Sequence, residues 1–260
     1  MLLVNNTMIN ENIIICLCVR NCEKYLFDVK NNLDNIRSFV QKTKILFIES
    51  DSSDNTLSIL ESFSKEKDIK TISLGNLQNL FPQRTERIAY CRNTYLNIVE
   101  KSDFDYLLVL DGDSIGEEKI TEESLSSNFL YENWDMMTAN QPQGYYDLWA
   151  LRHEEWMPFD CWDEFGKNKT KENFIKCITS RFKKIDPTNP PIKVNSAFGG
   201  AGLIRISSIK GNRHTGIQNG KIICEWVPFC EKLKNVFINP MFINSNKISE
   251  HISENVKLLG

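Results

Sequence analysis

Four short apolar runs divide the first 110 residues of the sequence, and helical patterns separate them. The runs, which we predict to be strands, cover residues 13–19, 44–48, 69–74 and 106–110. The helical patterns, in which apolar residues recur every three or four positions, cover residues 25–40, 57–63 and 83–99. Short, largely apolar runs are expected of strands that are buried on both faces of a parallel sheet. The alternation therefore predicts an α/β domain with a mixed, mainly parallel central sheet flanked by helices.

The rest of the chain has a less regular pattern and is richer in tryptophan, tyrosine, proline and glycine. We predict short extended segments over residues 136–139, 194–198 and 236–238. We predict helices over residues 167–184 and 226–233, the first of them mostly exposed with Phe174, Ile178 and Phe182 on one face. The change in pattern indicates a single domain in two halves, residues 12–115 and residues 116–260.

The charge balance argues against a nucleic acid as partner. The chain has 31 Lys and Arg against 34 Asp and Glu, which gives a formal net charge of −3. Binding to a phosphate backbone would need a local basic patch, and the sequence shows no run of basic residues that would form one. We therefore expect no nucleic-acid partner.

The sequence predicts no transmembrane segment and no export signal. Its longest apolar runs are much shorter than the roughly 20 residues that span a bilayer. The first residues, MLLVNNT, include no basic segment and no small-residue cleavage site, so we expect no signal peptide. The eight cysteines include no CxxC pair and fit no disulfide framework. We expect them to be reduced thiols in a cytoplasmic protein.

The clearest chemical signal is an Asp-Gly-Asp sequence directly after the fourth predicted strand. Asp111 and Asp113 are separated by Gly112, which allows a tight turn and the close approach of a ligand. Two neighbouring carboxylates repel each other unless a cation joins them. Mg²⁺ or Mn²⁺ prefers such oxygen ligands and commonly shares them with substrate phosphates. A solvated acidic turn is the alternative, but the position after a buried strand favours a metal site.

Other polar residues follow the first two predicted strands. They are Arg20, Glu49 and Asp51. Ligands of open parallel sheets bind at the carboxyl ends of the strands, so we expect these side chains near the acidic pair. Asp51 and Asp54 could instead cap the helix that follows them.

The order of these motifs resembles that of glycosyltransferases with the GT-A fold. The matching segments in the first half are IICLCVRN (residues 14–21), ESDSSDNT (residues 49–56) and LDGDS (residues 110–114). The second half adds YDLWALR (residues 146–152), FGGAG (residues 198–202), CEW (residues 224–226), INP (residues 238–240) and EH (residues 250–251). This series is similar to the group related to capsule-type mannosyltransferases and its bacterial and viral relatives. It implies that the first half binds a nucleotide sugar and the second half an acceptor.

The resemblance implies a donor site in the first half. Glu49 and Asp51 would bind the nucleoside, because carboxylates accept hydrogen bonds from ribose hydroxyls and base N–H groups. Asp111, Gly112 and Asp113 would lie against ribose and the metal–diphosphate, with Asp113 and the late His251 as metal ligands. Arg92 resembles an arginine that neutralises the diphosphate, and Arg20 is a similar candidate. Arg84 and Arg87 are interpreted as part of a solvated helix face.

The resemblance also implies an acceptor site in the second half. Its binding residues would be Trp149, Arg152, Gly199 and Gly200. The Trp149 ring could stack on a sugar, although a place in the core would explain it equally well. Glu225 is the best candidate for the catalytic carboxylate, and Asp147 is a second one. Glu225 matches a family glutamate that often precedes histidine, whereas Trp226 follows here.

The sequence thus predicts a hexosyltransferase that uses Mn²⁺ or Mg²⁺. It would move a sugar from a UDP- or GDP-linked donor to a hydroxyl of a glycan or glycoconjugate. Two alternatives remain at this point. A phosphatase with an aspartate nucleophile has a similar acidic motif, but after its first strand and with a later acidic pair. A non-catalytic nucleotide- or glycan-binding module could keep the same fold.

Overall fold

The computed structural model describes residues 8–246. Within this range the strands are β1 (Ile9–Val19), β2 (Val40–Glu49), β3 (Ile69–Ser73), β4 (Tyr106–Asp111), β5 (Met136–Asn140), β6 (Ile192–Val194), β7 (Ala201–Arg205), β8 (Ile217–Gln218), β9 (Lys221–Ile222) and β10 (Val236–Ile243). The α-helices are α1 (Leu26–Arg37), α2 (Thr56–Phe63), α3 (Arg84–Val99), α4 (Glu122–Ser126), α5 (Cys161–Lys167), α6 (Lys171–Cys177) and α7 (Trp226–Cys230).

Eight strands form one mixed sheet in the order β3-β2-β1-β4-β7-β5-β10-β6. Strands β3, β2, β1 and β4 are mutually parallel, and β5 is parallel to β10. Strand β7 runs antiparallel between β4 and β5, and β6 is antiparallel at the edge. The predicted α/β fold with a mainly parallel sheet flanked by helices is confirmed.

The core has two layers because alternate residues of a strand point to opposite faces of the sheet. On one face, Ile13 and Ile15 of β1 pack with the apolar side of α1, represented by Leu33. On the other face, Ile14 of β1 packs with the apolar side of α3, represented by Leu96. The two helices therefore cover opposite faces of the parallel half of the sheet.

The strand order creates a topological switch point between β1 and β4. From β1 the chain builds outward through β2 and β3, then returns to place β4 on the other side of β1. In the sheet, Cys18 pairs with Asp111 and Val19 pairs with Glu49, so these strands end at the same edge. The loops that leave a switch point diverge and open a crevice, where ligands of such folds bind.

The second half departs from the sequence-based prediction at several places. The single exposed helix over residues 167–184 is wrong: the region contains the C-terminal end of α5, the helix α6 and a short 3₁₀ turn. Thr170 separates α5 from α6. Its side chain accepts a hydrogen bond from Asn173 N–H and caps the start of α6. Phe174 and Ile178, two of the three residues predicted to share an apolar face, are buried. The final strand continues to Ile243 instead of ending at residue 238.

Two general features of residues 8–246 bear on the predictions. None of their helices is both long enough and apolar enough to cross a membrane. All eight cysteines lie in this range and are free thiols, mostly buried. Their burial agrees with the interpretation that they pack as small apolar side chains.

Candidate active site

A cleft of about 650 Å³ opens at the switch point of the sheet. Its walls come from the ends of β1, β2 and β4, from α3, from residues 146–149, and from the start of α5 and α7. Nine residues that the sequence singles out line it: Arg20, Asp51, Arg92, Asp111, Gly112, Asp113, Asp147, Trp149 and Glu225. The fold thus brings together side chains that lie up to about 200 positions apart along the chain.

The acidic pair after β4 lies in the floor of the cleft. Asp111 N–H donates to Gly200 O at 2.9 Å. Asp113 Oδ1 accepts from Ile115 N–H at 3.0 Å, which fixes the turn that presents the pair. Burial raises the pKa of Asp111 well above its ordinary value, and the nearby Asp113 carboxylate raises it further. A cation in this position would relieve both effects, so the pair suits a divalent metal.

Gly112 is required for the packing of this turn. A Cβ atom at position 112 would lie 2.4 Å from Val19 Cγ1. Val19 is buried at the end of β1, and its side chain would have to shift to admit that atom. The glycine therefore lets the acidic turn lie directly against the neighbouring strand end.

Asp51 presents an unused acceptor to the cleft. It adopts a left-handed backbone conformation, with a φ of 59°, at the end of β2. Its Oδ1 atom accepts from Gln78 N–H at 2.8 Å, whereas its buried Oδ2 atom has no hydrogen-bond partner. Arg87 Nε lies 3.8 Å from Oδ2, which makes an ion pair but is beyond hydrogen-bond distance. The Arg87 charge offsets part of the cost of burying this oxygen, and a ligand that donates a hydrogen bond to it would offset more.

Glu49, which was expected to bind the nucleoside, does not line the cleft. It is buried, its Oε1 atom accepts from Ser52 N–H at 3.0 Å, and its Oε2 atom accepts from the Ser73 hydroxyl at 2.6 Å. Both carboxylate oxygens are thus used to hold the loop that carries Asp51. Asp54 has a similar local role, with Oδ1 accepting from Thr56 N–H at 3.0 Å.

Arg92 and Glu225 form a buried ion pair in the cleft wall. Arg92 Nε donates to Glu225 Oε1 at 2.9 Å. The Arg92 guanidinium also lies over the rings of Phe198 and Trp226, at 5.0 and 4.4 Å from their centroids. Arg92 was expected to neutralise a diphosphate. In the structure its guanidinium forms an ion pair with the Glu225 carboxylate.

The residues expected at the acceptor side are only partly together. Asp147 lines the cleft and accepts from Gly199 N–H at 3.0 Å. Trp149 and Arg152 both donate to Asp160 Oδ2, at 3.0 and 2.6 Å. Trp149 lines the cleft, whereas Arg152 lies in a separate groove.

The two glycines expected at the acceptor site lie behind the cleft wall. Gly199 and Gly200 have φ values of 67° and 79°, which favour glycine. A Cβ atom on Gly200 would lie 2.6 Å from Ile115 Cγ2 and 2.9 Å from the Tyr146 hydroxyl. They form the tight turn into β7 that supports the acidic pair, and neither lines the cleft.

Comparison with known proteins identifies the fold. No protein-family model matches the sequence, and no curated protein sequence does. The crystal structure of S. aureus TarS 1–349 in complex with UDP aligns with a TM-score of 0.50 at 13% identity, over 87% of this chain and 57% of that chain. A mannosyltransferase from Pyrobaculum calidifontis, in complex with GDP-Man and Mn²⁺, aligns with a TM-score of 0.42 at 13% identity, over 78% and 46% of the two chains.

The chain has the fold of GT-A glycosyltransferases. The likeness to TarS extends over most of this chain, but the chain spans little more than half of that TarS fragment. At this identity the likeness concerns the fold, and the chemistry has to be argued from the residues of the cleft.

The GT-A cleft also contains residues that the sequence did not single out. Arg84 and Arg87, interpreted as a solvated helix face, both line it. Arg87 Nη1 donates to Phe81 O and to Pro82 O at 2.8 Å, which holds its side chain beside Asp51. Tyr146 also lines it, and burial raises the pKa of its phenol well above its ordinary value, as do Asp111 and Asp147. The one signal in the sequence for such a role is the three-residue spacing of Arg84 and Arg87, which places both on the same face of a helix.

A complete metal site is not present among residues 8–246. No group of three or more His, Cys, Asp or Glu side chains in this range is arranged to hold a metal ion. His251, the second expected metal ligand, lies outside the described residues. The described part of the protein would therefore contribute the Asp111 and Asp113 pair, with other ligands coming from elsewhere.

Proposed function

We propose that the protein is a glycosyltransferase that moves a hexosyl group from a nucleotide sugar to an acceptor hydroxyl with the help of Mn²⁺ or Mg²⁺. One observation carries the proposal: the acidic pair Asp111 and Asp113 and the unpartnered Oδ2 atom of Asp51 line the same cleft at the switch point. The first feature suits a metal-bound diphosphate, and the second suits a base or ribose donor group. The resemblance of the sequence motifs and the GT-A fold supports the same function.

The cleft favours uridine as the nucleoside. Asp51 Oδ1 is occupied by Gln78 N–H, so only Oδ2 is available to a ligand. Uracil offers a single N–H group at N3, which matches one free oxygen. Guanine offers two adjacent donors, N1–H and the N2 amino group, which would use both oxygens of a carboxylate. We therefore assign a UDP-linked donor in preference to a GDP-linked one.

The diphosphate would be held by the acidic pair, through a metal ion, and by exposed arginines. Arg20 and Arg84 line the cleft and are exposed, so phosphate oxygens could reach their guanidinium groups. Arg20 Nε also donates to Asp51 O at 3.3 Å, which holds this side chain at the cleft. When bound, the divalent ion would neutralise charge that develops on the leaving diphosphate. Mg²⁺ and Mn²⁺ commonly take few protein ligands and complete their shell with phosphate oxygens and water, which fits a protein contribution of two carboxylates.

Glu225 is proposed as the general base. Its Oε1 atom accepts from Arg92 Nε, while its Oε2 atom has a long contact with the Cys224 thiol, at 3.9 Å. In a direct displacement, Oε2 would accept the proton of the acceptor hydroxyl as its oxygen attacks the anomeric carbon and the bond to the diphosphate breaks. Asp147, held by Gly199 N–H, would orient the acceptor. The product sugar would then have inverted anomeric configuration.

The free thiols support a cytoplasmic location for the proposed reaction. Free cysteines persist in a reducing environment, and eight of them are present here. We therefore place the reaction in the cytoplasm, and treat residues 12–115 and 116–260 as donor- and acceptor-binding halves of one domain.

Thermal unfolding with and without nucleotide tests the proposal. We expect UDP together with Mn²⁺ to raise the unfolding temperature more than either alone, and more than GDP with Mn²⁺. A panel of UDP-linked hexoses, assayed for UDP release, then identifies the sugar. Stabilisation by phosphate or orthovanadate alone, with no response to nucleotide, would contradict a transferase. Nucleotide binding without release of UDP from any sugar donor, with any acceptor, would indicate a non-catalytic module.

A further inference from the structure

The part of the cleft formed by residues 146–182 has an apolar wall. Its members are Trp149, Trp162, Ile178 and Phe182. Three of them pack against the buried core or belong to it: Ile178 is buried, and Trp149 and Phe182 are half-buried. Trp162 differs, because 40% of its surface is exposed. Of the five tryptophans, all of which lie within residues 8–246, it is the only exposed one.

The position of Trp162 is fixed by the residues around it. Asp160 caps α5, with Oδ1 accepting from Trp162 N–H and from Asp163 N–H, each at 3.0 Å. The other oxygen of Asp160 binds Trp149 Nε1 and Arg152 Nη2. One carboxylate therefore ties the first turn of α5 to the neighbouring part of the cleft wall. The Trp162 ring also meets Phe165 edge-on, with centroids 6.4 Å apart.

The two tryptophans of this wall differ in how much of the side chain is already in contact with the protein. The Trp149 N–H group is already bonded to Asp160, and its ring packs against the core. Trp162 has a large apolar surface in contact with water at a cleft that also contains five carboxylates. A ligand with an apolar face and polar edges would cover the ring and direct its hydroxyls to those carboxylates. A pyranose has that shape, because the C–H groups of the ring form an apolar face and the hydroxyls lie around its rim.

We propose that Trp162 is the platform on which a pyranose of the acceptor stacks, so that the acceptor is a saccharide. The inference rests on the proposed glycosyltransferase function and deepens it by naming the acceptor class. It moves the stacking role expected of Trp149 to a tryptophan of the cleft wall that is 40% exposed. Asp51, the arginines and the acidic pair are assigned to the nucleotide-sugar donor. The apolar wall is therefore left for the acceptor.

Fluorine NMR of the full chain labelled with 5-fluorotryptophan tests the contact directly. The Trp162 resonance is the one missing from the spectrum of Trp162→Phe. With UDP and Mn²⁺ present, we expect it to shift in a saturable way with at least one methyl pyranoside among the glucoside, galactoside, mannoside and N-acetylglucosaminide. The resonance of Trp134, which is buried and does not line the cleft, should not move. If none of the four pyranosides shifts the Trp162 resonance, the proposal is wrong. It is also wrong if the resonance shifts only with tetramethylammonium, a cation, or only with octanol, an apolar alcohol, because neither is a saccharide.

Kinetics separate this inference from the proposed function. For the pyranoside that binds, Trp162→Ala should raise the acceptor KM about tenfold, a typical value for one aromatic contact. Trp162→Phe should recover most of the loss, and Phe27→Ala, which removes an exposed aromatic ring on α1, should have no effect. An unchanged KM in an enzyme that releases UDP from a nucleotide sugar overturns the inference alone. Absence of both nucleotide binding and UDP release overturns the proposed function and the inference with it.

Discussion

Arg92 Nε lies 2.9 Å from Glu225 Oε1, and the side chains of both residues are only 6% exposed. The pair joins the middle of α3 to the start of α7, across 133 positions of the sequence. Two charges removed from water in this way stabilise each other, and each is costly without the other. Arg92 therefore holds Glu225 in the cleft wall, and a diphosphate bound beside Arg92 would share its charge with that carboxylate.

Removing both partners of this pair should destabilise the fold by less than the sum of the two single losses. We expect Arg92→Met alone to lower the free energy of unfolding by about 3–5 kcal/mol, because Glu225 is left as an uncompensated buried charge. The double variant Arg92→Met with Glu225→Gln should lose clearly less than the sum of the two single variants. Urea unfolding of the four proteins measures the coupling. Additive losses would show that the two groups do not depend on each other.

Asp113 should be necessary for binding of nucleotide with metal and dispensable for folding. Asp113→Asn keeps an oxygen that can accept from Ile115 N–H but removes the negative charge. We expect the extra affinity for UDP that Mn²⁺ provides to fall at least tenfold, with an unchanged unfolding temperature. Calorimetric titration of UDP with and without Mn²⁺ measures this. Asp103→Asn, at an exposed residue paired with Lys42, is the control. An unchanged response to Mn²⁺ would place the metal elsewhere.

The glycine of the acidic turn should be replaceable only if its neighbour shrinks. Gly112→Ala should cost about 1–3 kcal/mol, the usual range for overpacking, because its Cβ would lie 2.4 Å from Val19 Cγ1. Val19→Ala removes that methyl group, so it should cost less stability in the Gly112→Ala background than in the wild type. Urea unfolding of the wild type, the two single variants and the double variant measures this difference. If Val19→Ala costs the same in both backgrounds, the contact with Val19 is not what selects glycine at this position.

The regular half of the fold could be predicted from sequence because its strands are short, apolar and evenly spaced. Runs such as residues 13–19 and 106–110 became β1 and β4 within a few residues, and the Asp-Gly-Asp motif followed β4 as expected. Strand β7 was not predicted, although Ala201–Arg205 inserts between β4 and β5. Its position depends on pairing with strands about 65 and 95 residues away along the chain. Such long-range pairing produces no recurring pattern of apolar residues within a five-residue segment.

Which residues line the cleft was predictable where a residue type and a strand end coincide, as at Asp51, Asp111 and Asp113. The functions of buried partners were not predictable in this way. Glu49 follows the same sequence logic as Asp51, yet its two oxygens are used by Ser52 and Ser73. Only the three-dimensional arrangement shows which carboxylate has an unused oxygen. For the same reason the sequence favoured Trp149 as an aromatic platform, since exposure is a property of packing.

The single free oxygen of Asp51 predicts a change of nucleotide preference. Asp51→Asn can still accept from Gln78 N–H through its oxygen, but its amide nitrogen would replace Oδ2 as a donor. Uracil N3–H would then face a donor, whereas cytosine N3 is an acceptor. We expect UDP affinity to fall at least tenfold, in line with the roughly 1.5–3 kcal/mol of a charged hydrogen bond, while CDP affinity rises relative to UDP.

Competition titrations of the wild type and Asp51→Asn with UDP and CDP measure this preference. Ser53→Ala, in the same loop but outside the cleft walls, is a suitable control. An unchanged UDP-to-CDP ratio would show that Asp51 does not contact the base.

The buried His214 should make stability fall as the solution becomes mildly acidic. Burial lowers the pKa of His214 well below its ordinary value of 6.5, and the charge of Arg92 lowers it further. In the unfolded chain the imidazole takes up a proton near pH 6.5, whereas in the folded protein it stays neutral to a lower pH. The unfolded state therefore binds more protons, and stability decreases as the pH falls below about 6.5, by up to roughly 1.4 kcal/mol per pH unit.

Comparison with His214→Gln isolates this contribution. Glutamine does not titrate and can still donate to Glu225 O, which accepts from His214 Nδ1 at 3.0 Å in the tautomer that fits the contact. Losing the ring stacked on Phe229 should lower stability at pH 7.5, but the gap to the wild type should narrow between pH 6.5 and pH 5. Urea unfolding at pH 7.5, 6.5, 5.8 and 5.0 measures the gap. The acidic groups are common to both proteins and cancel in the difference, so a gap that stays constant would mean that His214 is protonated in the folded state as readily as in the unfolded chain.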